Sequence, residues 1–166
     1  MELSKIAIEW AKAEVFSARF FILFALLFLL ASMGFWQLGK TETAKAYIYP
    51  TLVAGILLLA VGLGIFFTNK SRATSFATAY TDNPTEFIKT EIARTEKSKA
   101  EYKTIVFKVI PFLIVISALF VVFVDQPLWR AISITTIAMM VVILGVDSNA
   151  NARIETYHKE LKIRDK

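Results

Sequence analysis

Asp147, Asn151, Glu155 and His158 fall at i, i+4, i+8 and i+11 near the C-terminus, so a helix would carry all four on one face. His158 is the single histidine of the chain. Glu155-x-x-His158 is the spacing by which one helix hands two ligands to a di-iron carboxylate centre. Such a centre needs two of these motifs and further inward carboxylates, so only a homodimer could complete it. A haem held by two histidines of one chain is excluded on the same count. There is no cysteine, which removes thiolate metal sites and disulfides. The plain alternative is that a helix leaving a bilayer turns polar here, with Arg153, Lys159 and Lys162 holding it to anionic headgroups. No catalytic residue, metal ligand or cofactor is assigned on these residues. A membrane enzyme using Asp147, Glu155 and His158 stands as the third functional reading.

The elements that position this stripe are set by where charge is absent. The chain is 56% hydrophobic and 20% charged, and the charges are unevenly spread. Four segments are nearly free of them: 20–39, 47–68, 104–124 and 128–146. Each has the length that about 30 Å of hydrocarbon demands of a helix. Lipid cannot satisfy a bare backbone, so a helix is the spanning form. The expected fold is an all-α integral membrane protein, a four-transmembrane-helix bundle forming a single membrane domain over 1–166. A cleavable signal peptide fits the first segment poorly, because residues of mixed charge precede it and no small-x-small site follows.

Sixteen of the nineteen Lys and Arg lie in 1–19, in 69–108 and in the tail 147–166; only Lys40, Lys45 and Arg130 lie between spans on the other side. The positive-inside rule then puts both termini and the middle loop in the cytoplasm. Trp36, Tyr47, Tyr49 and Trp129 gather at the opposite boundary, where amphipathic rings favour the headgroup level, and they join Trp10 and Arg153 as candidate membrane anchors. The outer loops are tiny. Short loops and the lack of a targeting sequence point to a bacterial cytoplasmic (inner) membrane.

Residues 1–19 read as an amphipathic helix with Glu2, Lys5, Glu9, Lys12 and Arg19 in one polar stripe, suited to the membrane interface or to packing on another cytoplasmic helix. The middle segment 69–103 opens with "TNKSRATSFATAYTD", which carries no firm structural signal. A strong helix start follows: Asn83 can cap, Pro84 suits the first position and Glu86 sits where a capping-box acid belongs. The resulting helix, about 84–103, runs on into the third span, with Pro111 the one expected kink. Its broken apolar stripe of Phe87, Ile88, Ile92 and Tyr102 is the candidate partner-docking surface. Ala60-x-x-x-Gly64 in the second span, with Gly55 and Gly62 nearby, forms a candidate close-packing face of the small-xxx-small kind. Each half of the chain reads as cytoplasmic helix, span, short turn, span, and a duplication about an axis along the membrane normal would fit that order.

A coupled transporter normally carries an ionisable residue in mid-membrane, and none lies there. No Gly-rich phosphate loop, Ser/His/Asp set or nucleic-acid motif occurs. The basic balance follows from orientation rather than from nucleic-acid binding. The leading expectation is a non-enzymatic accessory, regulatory or protective subunit, in contact with membrane lipids and docking a protein partner through its cytoplasmic helices. The alternative is a homo-oligomeric pore or carrier for a small or lipidic solute.

Overall fold

The computed structural model describes residues 2–164, with the backbone alone at Glu2. The Glu2 end of the polar stripe and the last two residues of the tail thus lie outside the described residues. The described chain is all helical, and four of its helices are long and apolar enough to cross a membrane.

α1 (Glu2–Leu38) joins the amphipathic segment and the first apolar segment in one uninterrupted helix of 37 residues, about 55 Å long at 1.5 Å per residue. No proline and no early glycine interrupts it. A one-turn helix, α2 (Glu42–Ala46), is capped by Thr41, whose Oγ1 accepts from Ala44 N at 3.1 Å. α3 (Ile48–Asp82) then returns along α1 and runs straight through the segment for which the sequence has no firm signal. Its Ser, Thr and Asn side chains bond back to carbonyls one turn earlier, as in Asn69 to Ile65, Thr74 to Ser71 and Thr81 to Ala77. They therefore do not compete for the backbone in a way that breaks the helix.

α4 (Pro84–Glu101) starts as its sequence dictates, with Asn83 Oδ1 accepting from Glu86 N at 3.1 Å and Pro84 in the first turn. A π-helical stretch, Tyr102–Val109, leads into α5 (Ile110–Phe123). Pro111 has no N–H to give to the turn before it and its ring crowds the carbonyl four residues back. The wider turn relieves that crowding, and Ile110 N bonds Ile105 O, five residues earlier. What the structure shows before Pro111 is an eight-residue π-helical stretch. α6 (Pro127–Arg164) carries the fourth apolar segment and the polar tail in one helix of 38 residues.

Two cores result. At the apolar end, Phe21, Ala25 and Leu58 are buried, with Met139, Val142 and Ile143 packed against them. At the polar end, which holds both chain ends, Leu3, Trp10, Phe76, Phe87, Ile154 and Tyr157 form the centre of a four-helix bundle. α5 packs chiefly on α6 and leaves most of its surface open, with only 11% of the third apolar window buried inside the molecule.

Glycine sets the approach of α1 to α3. A Cβ at Gly62 would lie 2.9 Å from Phe21 Cβ and 3.1 Å from Ile22 N, and one at Gly55 would lie 2.8 Å from Leu29 Cγ. Gly55 is thus a packing position, but its companion on that face is Gly62, one heptad on. Ala60 is exposed, and Gly64 opens onto the cavity at the base of the polar bundle, with nothing within 4 Å of a Cβ there. The expected Ala60/Gly64 packing face is corrected accordingly. Gly62→Leu is expected to destabilise the α1–α3 pair by about 1–3 kcal/mol, because a backbone atom cannot yield to it. Gly64→Leu should leave melting in detergent unchanged. Equal melting temperatures for the two variants would contradict this packing.

Candidate functional site at the base of the polar bundle

On α1, Leu3, Ala7, Trp10, Glu14, Ser17, Phe21 and Ala25 recur at spacings of three or four and are all buried. A carboxylate at a core position of that series must find a partner. Glu14 finds Arg153 of α6, whose Nε donates to Glu14 Oε1 at 2.9 Å.

Above that pair, towards the chain ends, α4 contributes Glu91. Its carboxylate accepts from Arg94 Nε at 2.8 Å and Nη2 at 2.6 Å, and from the Tyr157 hydroxyl at 2.9 Å. The Arg94 guanidinium lies over the Trp10 ring, 4.4 Å from its centroid, and Trp10 stacks on Tyr157 at 5.2 Å. Burial and the neighbouring Glu91 charge push the Tyr157 phenol above its ordinary range. Further out, Thr95 Oγ1 meets His158 Nδ1 at 2.7 Å, and Lys162 Nζ reaches Glu96 at 2.8 Å. Burial, then Lys99 and Lys162, hold His158 below the usual imidazole value.

Between the polar core and the apolar end lies a cavity of about 260 Å³ lined by all of α1, α3, α4 and α6. Glu14, Asn69, Arg72, Arg94, Tyr102 and Asp147 face it among apolar neighbours such as Phe21, Ile65 and Ile154. The Arg72 guanidinium donates to Asn69 Oδ1 at 3.1 Å, its single side-chain partner among the described residues. The Asp147 carboxylate has no hydrogen-bond or ion-pair partner among them. Trp10 Nε1 is buried without an acceptor. Asp147 is the first residue past the fourth apolar segment; burial, then Glu14, raises its carboxyl from 3.8 to about 6. Burial raises Glu14 as well, against the pull of Arg153.

These shifts have a definite sign. A carboxyl that is harder to ionise in the folded chain than in the unfolded one is most favourable to the fold when protonated. Stability is therefore expected to fall as pH rises from 3.8 to about 6, by at most about 3 kcal/mol, and then to level off as far as Asp147 is concerned. Asp147→Asn should flatten that part of a melting-temperature profile. An unchanged slope in the variant would remove Asp147 as its source.

The residues singled out from the sequence are distributed as follows. Phe87 and Ile88 are buried inside the polar core, with Ile92 and Tyr102 packed against it. The apolar stripe of α4 is consumed by the chain's own α1, α3 and α6, so it is not a free docking face. Trp10 is 8% exposed and stacked within the bundle, and Arg153 pairs with Glu14, so neither is a free anchor. Trp36, Tyr49 and Trp129 are exposed at the apolar tip, while Tyr47 stacks on Phe35 at 5.1 Å. The C-terminal stripe divides: Asp147 lines the cavity, His158 is turned onto Thr95, and Glu155 is exposed beside Asn151. Asp147 and His158 are about 16 Å apart along the helix. No group of three or more His, Asp or Glu that could hold a metal ion occurs among the described residues.

Glu14, Arg72 and Tyr157 are the site residues that the sequence reading does not single out; Glu91 and Arg94 read there as an i,i+3 pair on a solvated helix, and the structure keeps the pair but buries Glu91. Glu14 had a signal, since it interrupts the buried three-and-four series of α1. Arg72 had none, because its segment was not legible as a helix. Comparison with family models, with curated proteins and with solved structures finds no match for the chain.

Proposed function

We propose that the chain is a small integral membrane protein, non-enzymatic, whose polar end works in the cytoplasm as an accessory, regulatory or protective subunit for a protein partner. The carrying observation is the continuity of its helices. α1, α3 and α6 each run unbroken from the apolar end into the polar bundle, and α4 reaches α5 through the π-helical stretch without a loop. A partner on the bundle is thus coupled rigidly to the spans. Lys and Arg gather at the same end, which the positive-inside rule assigns to the cytoplasm, in the inner membrane if the host is a bacterium.

With the apolar stripe of α4 turned inward, the surface left for a partner is the charged outer face of the same helix, where Lys89, Glu96, Lys97 and Glu101 are exposed. Gentle purification from native membranes, read by native mass spectrometry, is expected to recover a second protein in fixed stoichiometry. The double variant Lys89→Glu/Lys97→Glu should lose that protein while keeping its melting temperature. Recovery of the chain alone, or a partner indifferent to the charge reversal, would refute this docking face. The alternative, a homo-oligomeric pore or carrier for a small or lipidic solute, is supported by the cavity at the base of the bundle.

A further inference from the structure

We propose that the cavity between the polar core and the apolar end binds a small zwitterion, its ammonium against Asp147 and its anionic group against Arg72, with a short aliphatic chain between. This goes beyond the partner reading and does not depend on it, since the outer face of α4 is not part of the cavity.

Two charges of opposite sign line the same cavity, and neither forms an ion pair among the described residues. The charged neighbour acting on Asp147 is Glu14, a second carboxylate already engaged by Arg153. The Arg72 guanidinium has the neutral Asn69 as its hydrogen-bond partner and the like-charged Arg94 close by, while Glu91 and Glu14, each held by another arginine, act on it more weakly. A half-buried charge without a partner is costly, and a bound counter-charge offsets that cost.

The two also sit at opposite ends. Tyr157 stacks on Trp10, and Asp147 is ten residues before Tyr157 on α6, hence about 15 Å towards the apolar end. Gly62 packs on Phe21, and Arg72 is ten residues beyond Gly62 on α3, hence about 15 Å towards the polar end. Phe21 and Trp10 are themselves eleven residues apart on α1, so Arg72 lies near the level of Trp10 and Asp147 near that of Phe21. Trp10, which lines the cavity at the Arg72 end, carries a buried Nε1 donor without an acceptor; Arg153 Nη2 on the neighbouring helix is likewise buried without one. Between the two ends the lining includes Ala18, Ile65, Ala150 and Ile154, which suit methylenes.

That polarity chooses the source. In an aminophospholipid the phosphate is nearer the acyl chains and the ammonium is outermost. Here the cation site is nearer the apolar end and the anion site is outermost, so a free ω-amino acid fits and a lipid headgroup from the adjoining leaflet does not.

The test uses the full chain in detergent with Trp36→Phe and Trp129→Phe, leaving Trp10 as the fluorescent reporter. ε-Aminocaproate and γ-aminobutyrate are titrated beside butylamine and butyrate, which each keep one charge. A saturable change in Trp10 emission is expected with an ω-amino acid, at least about tenfold tighter than with either single-charge compound. Asp147→Asn should erase the preference over butyrate, and Arg72→Gln the preference over butylamine. Because each variant retains one half of the site, persisting single-charge binding certifies its fold. No saturable change with either ω-amino acid, equal affinity for single-charge compounds in the unsubstituted cavity, or binding of phosphatidylethanolamine in nanodiscs in place of the ω-amino acids would each overturn the proposal.

Discussion

Glu91→Ala is expected to destabilise the polar bundle by about 3–5 kcal/mol, the usual cost of removing one partner of a buried pair. The Glu91 side chain is 6% exposed and receives three hydrogen bonds, two from Arg94 and one from Tyr157. Without it the guanidinium over Trp10 and the phenol beneath keep their burial and lose their acceptor. Repulsion between Arg94 and Arg72, now balanced in part by Glu91, would add to the loss. Glu91→Gln keeps the shape and one acceptor, so a smaller effect of about 1.5–3 kcal/mol is expected. Replacing both partners, Glu91→Leu with Arg94→Met, should recover much of the stability, because no buried charge is then left alone. Thermal melts followed by Trp10 emission read all three. If Glu91→Ala melts with the unsubstituted chain, the network does not hold the bundle together.

Phe87→Ala should cost a similar amount, about 3–5 kcal/mol for a buried aromatic truncated in a packed core. Phe87 is 7% exposed and meets Phe76 edge-to-face at 5.3 Å and Tyr80 at 5.7 Å. Those contacts fold α4 back onto α3 across Asn83, so the expected damage is local. Amide exchange should rise over 73–95 and stay slow in the apolar segments, whose packing does not involve Phe87. Uniform protection, or loss at both ends together, would contradict two separate cores. A Ser or Ala at this position therefore tests the integrity of the bundle and says nothing of partner docking.

Much of the architecture is legible in local pattern. The four apolar segments follow from length and composition, and the start of α4 from Asn83, Pro84 and Glu86, because these signals act within one or two turns. The helix across 69–82 was not legible. Its Ser, Thr and Ala residues have no decisive preference, and it is held by back-bonded side chains together with Phe76 and Tyr80 packing on Phe87. That Pro111 disturbs the helix was legible, but the π-helical stretch before it was not, since it depends on how the preceding turns accommodate the ring.

The site was legible only in fragments. Asp147 and His158 stood out by spacing, yet a shared helical face does not make a shared environment. One is opposite α1 and α3 at the cavity, while the other is against Thr95 of α4. The α4 stripe was read correctly as apolar and wrongly as free, because an apolar face states a need for a partner and not which surface fills it. By itself the sequence determined that this chain is helical, that four stretches can cross a membrane, and that its cations gather at one end, since hydropathy and charge are properties of each segment alone. Only the tertiary structure decided which charges pair, which apolar stripes are used up internally, and that Arg72 and Asp147 remain unpaired around one cavity. Those outcomes depend on the rotation and register of four long helices against one another.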